Sequence, residues 1–337
     1  MPRKIKIAAV QMSRVYGEIE TNLAIAEQLV SQAVDAGAQL VVLPELFDSG
    51  YAYTPANYEI AGTRDGRTYT WMVDTAARLN VHLAGSFLLR KSGDIYNTLL
   101  LAAPDGHTWE YDKLHPWGWE CAYFRAGDTP VVADTDLGKI GLLICYDVAH
   151  PELFAAYAGK VQLLVISSSP PRMDRLQIRI AEENIGNVWP GNRVLDKAQA
   201  SGEAVFNADL RAQVAWVSVP ALNAMPGKEM FSSPVPRPRT SLFSSVWFIP
   251  KYWPYIAKAQ DAIVETEYCD ETMVISAAGK IMARAEEAED LAIAEIEIPD
   301  MPPKPSGPQP QMTLHPLTKF ASTALGWISR PEYKKHR

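Results

Sequence analysis

Short apolar runs alternating with amphipathic stretches fill the first half of the chain, and that order constrains the fold more than any other feature. "KIKIAAVQM" (residues 4–12) and "AQLVVLPE" (residues 38–45) have the length and the apolar, partly β-branched content of buried strands. Between them, "TNLAIAEQLVSQAVDAGA" sets Leu23, Ala26, Val30 and Ala33 on one helical face, with Gly37 placed to end the helix. The pattern continues with "TYTWMVDTAARLN" as helix and "VHLAGSFLLR" as strand. "YNTLLLAAPDGHTWEYDKL" reads as a hairpin turning at Pro104-Asp105-Gly106. After "KIGLLIC" come a helix from His150 and the strand "VQLLVISS". A late hairpin, "ETMVISAAGKIMARA", turns at Ala278-Gly279, and "AIAEIEI" reads as a final strand. Strands alternating with helices, together with hairpins, predict a layered α/β fold with mixed sheets.

Two segments break this order. Residues 221–260 are rich in proline and then in aromatics, with Phe243, Trp247, Phe248, Tyr252, Trp253 and Tyr255 close together. They read as a long proline-punctuated loop: a lid, a membrane-surface contact, a subunit contact or a local core. From Met301 a linker, "MPPKPSGPQP", leads to a locally basic, weakly amphipathic tail.

Bulk properties remove whole classes of function. The 337 residues, 47% of them apolar, suffice for a large buried core. A net charge of −7 excludes an overall electrostatic footprint for nucleic acid. Three cysteines cannot form a disulfide framework in so long a chain, which points to a reducing cytoplasm. The first residues turn polar too early for a secretory signal, and no run is apolar for the roughly 18 residues a membrane span needs.

The candidates for chemistry sit at strand ends. Cys145 closes an apolar run and is followed directly by a turn and a helix, the geometry that exposes a nucleophile at the carboxyl edge of a sheet; a buried structural cysteine is the alternative. Glu45 ends "LVVLPE", where a carboxylate is costly unless paired or kept for a purpose. Lys113 ends another strand, with Glu120 seven residues on among Trp117, Trp119, Tyr123 and Phe124. His115 is a possible base or a hydrogen-bonding turn residue. No metal-ligand spacing appears.

In order, "LVVLPELF", "YDKLHPWGWE" and "GLLICYDVAHPELF" resemble the glutamate, lysine and cysteine segments of the nitrilase superfamily of carbon–nitrogen hydrolases. The resemblance covers residues 4–220 and resumes at 271–298. It implies a four-layer α-β-β-α sandwich with two mixed sheets over residues 1–300, an insertion over 221–266, and an extension over 301–337. It further implies Glu45 as general base, Lys113 as oxyanion stabiliser, Cys145 as nucleophile and Glu120 as a second glutamate that orients substrate or lysine. The Tyr146 backbone N–H and Trp117 are candidates for oxyanion and substrate contact, and Asp147 for support of the turn. Such a set needs no cofactor, because covalent catalysis by a thiol divides the difficult C–N cleavage into attack and hydrolysis.

Tyr146-Asp147 after the cysteine resembles amidases, where nitrile-acting members carry Trp-Glu. Val148, Ala149 and His150 stand where members that bind carboxylate substrates place an arginine, leaving Arg172 or Arg175 as substitutes. "SSSPPRM" departs from the family on the substrate side. The expected partner is a small-molecule amide or nitrile, in a homo-oligomer of two or more subunits. An acyltransferase using the same thioester and a non-catalytic scaffold are the rival readings.

Overall fold

Strands in the first half divide their side chains between two cores. In β1 (Arg3–Gln11), Ile5, Ile7 and Ala9 enter one core, and Ala8 and Val10 enter another. In β2 (Leu40–Val42) the division is Leu40 and Val42 against Val41. This two-residue alternation means that both faces of the sheet are covered. The computed structural model describes residues 3–180, 183–184, 193–246 and 250–336.

The first sheet adds β3 (His82–Lys91), β4 (Asp94–Ala102), β5 (Thr108–Asp112) and the late strand β16 (Asp290–Ile298), in the order β16-β1-β2-β3-β4-β5. Helices α1 (Ile19–Asp35) and α3 (Arg67–Leu79) cover its outer face; a single turn, α2 (Asn57–Ile60), lies between them in sequence. Leu23, Ala26, Val30 and Ala33 are buried as the helical periodicity requires, and Gly37 takes the left-handed conformation (φ +90°) just past the helix end.

The second sheet runs β15-β14-β11-β8-β7-β6. Its strands are β6 (Val132–Thr135), β7 (Gly138–Ile144), β8 (Leu163–Ser167), β11 (Ala221–Ala224), β14 (Met273–Ile275) and β15 (Ile281–Arg284). Helices α4 (Pro151–Tyr157) and α6 (Leu210–Val217) pack together and bury Leu153, Phe154, Leu210 and Val214 against it. β1 lies against β11, β3 against β8 and β4 against β7, so the sheets stack face to face and complete the expected α-β-β-α sandwich. Each sheet has a parallel centre, β1-β2-β3 or β7-β8-β11, with antiparallel strands outside it.

The 221–266 segment differs from the long loop its prolines suggested. β11 is an interior strand of the second sheet. β12 (Met230–Pro234) and β13 (Ile263–Glu267) join β9 (Gln177–Ile180) and β10 (Glu183–Asn184) in a four-stranded sheet. Pro234 ends β12, an edge strand of this sheet, where a proline is tolerated because its missing N–H can face away from the ladder. Between these strands stand α7 (Pro238–Val246) and α8 (Trp253–Lys258); α5 (Arg193–Ala204) precedes α6. Phe231, Leu242 and Tyr252 join Tyr53, Trp119 and Tyr123 in a local core, whereas Phe243 and Trp253 are exposed. Trp247 and Phe248 lie outside the described residues.

The 301–315 linker is tied down: Gln309 Nε2 donates to the Pro151 carbonyl (2.6 Å) and the Asp209 carboxylate accepts from Thr313 (2.7 Å). It leads into α9 (Pro316–Lys335), which lies on the tight turn Gly118–Ala122. Small residues allow the close approach: a Cβ on Gly326 would sit 3.3 Å from Cys121 Sγ. Among the described residues no helix is long and apolar enough to cross a membrane.

Candidate active site

The two sheets bring their parallel strands to a common edge, where the chain leaves β2 and β7. Glu45 follows β2 after Leu43-Pro44, and its backbone N–H donates to the Ser168 carbonyl just past β8 (3.3 Å). Cys145 follows β7 directly, with a left-handed φ of +46° at the start of a tight turn, Cys145–Ala149. Such a conformation in a non-glycine residue costs about 1–3 kcal/mol and persists only where its surroundings enforce it. Asp147 does so here: fully buried, it accepts from the Ile144 N–H (3.2 Å), the Tyr111 hydroxyl (2.7 Å) and the His115 N–H (2.9 Å). One carboxylate thus clamps the cysteine turn to the lysine segment.

Lys113 is wholly buried, and its ammonium donates to Glu45 Oε1 (2.7 Å) and Glu120 Oε1 (2.8 Å). Its backbone is held between β4 and the 125–130 loop, by its own N–H to the Asn97 carbonyl and its carbonyl to the Gly127 N–H, both 2.9 Å. Glu120 sits on the Gly118–Ala122 turn, where Oε2 accepts from the Trp117 N–H (2.6 Å) and Oε1 from the Tyr51 hydroxyl. Every oxygen of Glu120 is therefore engaged. Glu45 is different: Oε1 also accepts from Asn97 Nδ2 (2.8 Å), but Oε2 is buried with no hydrogen-bond partner among the described residues.

Electrostatics follow from this packing. Burial, then the charge of Glu45, holds the Cys145 thiol well above its ordinary value, against the pull of Lys113 and a hydrogen bond from the Ser169 backbone. Burial alone would lower Lys113, but Glu120 and Glu45 together hold it well above its usual range. Burial pushes Glu120 up to about 7 against Lys113, with Glu45 adding to the rise. At rest the site holds a neutral thiol beside a fixed cation, with an unshared carboxylate oxygen at hand.

Cys145 and Glu120 line a pocket of about 60 Å³ with Tyr51, Tyr53, Trp117 and Tyr146. Its far walls are Met173, Phe206, Leu314 and Thr318. Arg172 and Arg175 are not part of this lining; Arg172 lies 3.5 Å from both Asp174 and Glu203, and Arg175 pairs with Glu267 at 2.5 Å. His115 also stands apart: its Nδ1 is 3.0 Å from Asp147, and its ring stacks on His150 at 3.5 Å. Although the sequence shows no metal-ligand spacing, the fold brings His115, His150 and Glu152 within 4.8 Å of one another, the glutamate exposed.

Two contributors escaped the sequence reading. Asn97 holds Glu45, and its place on β4 in step with the inward-facing Leu99 and Leu101 marked it as a buried polar residue. Arg14 gave no such signal. It is buried, forks onto Glu229 (2.6 and 3.1 Å), and donates to the Glu45 carbonyl and to Ser169 Oγ (2.9 Å).

The carbon-nitrogen hydrolase family model matches residues 6–184, slightly more than half of the chain, and the chain belongs to that family. It is 37% identical to a nitrilase of Pyrococcus abyssi over 153 residues, 44% of this chain and 58% of that protein. It is 33% identical to the 2-oxoglutaramate amidase of Bacillus subtilis over 192 residues, 55% of this chain and 73% of that protein. Among solved structures, the fold superposes on Saccharomyces cerevisiae Nit3, a nitrilase-superfamily member, with a TM-score of 0.62 at 23% identity, covering 88% of this chain and 90% of that one.

Proposed function

We propose that the chain hydrolyses a small amide to carboxylic acid and ammonia or amine, through a thioester on Cys145. The observation that carries this reading is Lys113 shared between Glu45 and Glu120 while the second Glu45 oxygen has no hydrogen-bond partner among the described residues, in a site whose burial favours the neutral thiol of Cys145. Glu45 takes the Cys145 proton as sulfur attacks the carbonyl carbon. The Lys113 ammonium and the Tyr146 backbone N–H face the oxyanion. Glu45 then gives the proton to the leaving nitrogen as the C–N bond breaks, and activates the water that cleaves the thioester. Glu120, with both oxygens engaged, is a positioning residue for Lys113.

The likeness to the Bacillus subtilis 2-oxoglutaramate amidase, and to an omega-amidase of Arabidopsis thaliana at 31% identity over 172 residues, supports an amide over a nitrile. Because aromatic and apolar side chains dominate the pocket and Arg172 and Arg175 lie outside it, the reading favours an uncharged acyl group. Leu314 and Thr318 bring the 301–337 extension into the pocket wall, so we read it as an addition to the 1–300 hydrolase unit that shapes substrate choice. Free thiols at Cys121, Cys145 and Cys269 support a cytoplasmic location. A homo-oligomer belongs to the same reading, and light scattering tests it.

The test is ammonia release from a panel of aliphatic and aromatic amides and nitriles, with Cys145→Ala as control. Release from amides that vanishes in the variant, with an acyl adduct on Cys145 by intact mass, supports the reading. Turnover confined to nitriles, or retained in the variant, overturns it.

A further inference from the structure

A second and larger cavity, about 620 Å³, lies between the 114–126 segment and α9, and shares Tyr146 as a wall with the catalytic pocket. Lys319, Arg330 and Lys334 of α9 line it, together with Arg125, and no aspartate or glutamate does, in a chain whose net charge is −7. Arg125 is already paired with Asp94 at 2.6 Å, and the Arg330 guanidinium lies against the Cys121 thiol. Glu332, the one acid of α9, is taken by Lys335 (2.9 Å) and faces His336, and no ion pair of Lys319, Arg330 or Lys334 occurs among the described residues.

The rest of the wall is largely apolar, with Leu114, Pro116, Phe124 and Trp327. Trp327 is 69% exposed, and Phe320, two turns earlier on the same side of α9, is 71% exposed. An inorganic anion would fill only a small part of such a volume, which lies in the range of pockets that hold whole organic ligands. Cations at the rim and an apolar interior ask for a ligand with both characters.

We propose that this cavity binds an anionic amphiphile, its carboxylate or phosphate head on Lys319, Arg330 and Lys334 and its chain along Trp327, Phe124 and Leu114. The site is distinct from the hydrolytic one, and the proposal does not depend on the reaction assigned there. Its occupant would bear on the catalytic pocket through Tyr146, which lines both cavities and shares the larger one with Ser322 of α9.

Titration calorimetry on the full chain tests it. The probes are linear carboxylates from hexanoate to dodecanoate below their micelle concentrations, 1-alcohols of equal length, inorganic phosphate, and phosphatidylglycerol vesicles. Affinity for the acids should rise by about fourfold per added methylene. The triple variant Lys319→Gln, Arg330→Gln, Lys334→Gln should weaken the acids by about tenfold or more while leaving the alcohols unchanged. Quenching by a brominated dodecanoate should fall in Trp327→Phe, a check that holds even where the triple variant does not fold. Equal binding of acids by the triple variant would place them elsewhere and overturn the proposal. Phosphate binding without chain-length dependence would overturn it in favour of a small-anion site. Retention on vesicles without binding of monomeric acid would overturn it in favour of a surface contact.

Discussion

Replacing Glu45 with glutamine should drive two properties of Cys145 in opposite directions. At its ordinary value of 9.0 a thiol is about 1% ionised at pH 7, and in the folded chain burial and the Glu45 charge hold Cys145 higher still. Glu45→Gln removes that charge but keeps the shape, since its amide oxygen can still accept from Lys113 and Asn97, now 2.7 and 2.8 Å from Oε1. The thiol should therefore ionise at a lower pH in the variant than in the parent. Turnover should nevertheless fall by about 10²–10⁴, because the carboxylate assigned to protonate the leaving nitrogen and deprotonate water is gone. At about 1.4 kcal/mol per decade this adds roughly 3–6 kcal/mol to the barrier. The assay pairs ammonia release with the pH midpoint of iodoacetamide alkylation at Cys145, mapped by peptide mass so that Cys121 and Cys269 are counted separately. A midpoint that stays put or rises while turnover collapses would refute the reasoning and leave Glu45 as a structural residue. Turnover within tenfold of the parent would refute its role as base.

Other outcomes follow from the same packing. Glu120, held up to about 7 by burial, keeps a proton in the folded chain that an unfolded chain releases near 4.5. Its contribution to stability should therefore fall as pH rises between these values, and Glu120→Gln should flatten that slope in melting temperature against pH. Arg14→Met strands the Glu229 carboxylate and should cost about 3–5 kcal/mol in urea unfolding, with Arg14→Met combined with Glu229→Met recovering part of it. Gly326→Leu should prise α9 from Cys121 and the turn bearing Glu120, lowering amide turnover while the far-ultraviolet spectrum stays near that of the parent.

Strand ends were legible because a carboxylate, an ammonium or a thiol closing an apolar run has few reasons to be there. Chain order added the rest, and the fold brings Glu45, Lys113, Glu120 and Cys145 to one place. The sandwich was legible from runs long enough to show a period. "ALNA" was not, being four residues with a polar one inside, and β11 disappeared into a segment whose prolines suggested a loop. Arg14 follows β1 by a few residues and gains its role only when Glu229, distant in sequence, arrives beside it. Partners so far apart leave no local trace.

The pairing of β1 with β16 along nine residues, from Arg3 with Ile298 to Gln11 with Asp290, sets the order in which the molecule can be finished. During synthesis β1 leaves the ribosome before every other strand of the two stacked sheets, and its neighbour on that side leaves after all of them. Until then the first sheet carries an open, largely apolar edge, the form of strand most prone to recruit another chain. A product truncated before residue 290 would hold all four site residues and still lack its sheet border, so its expected fate is aggregation or capture by a chaperone rather than partial activity.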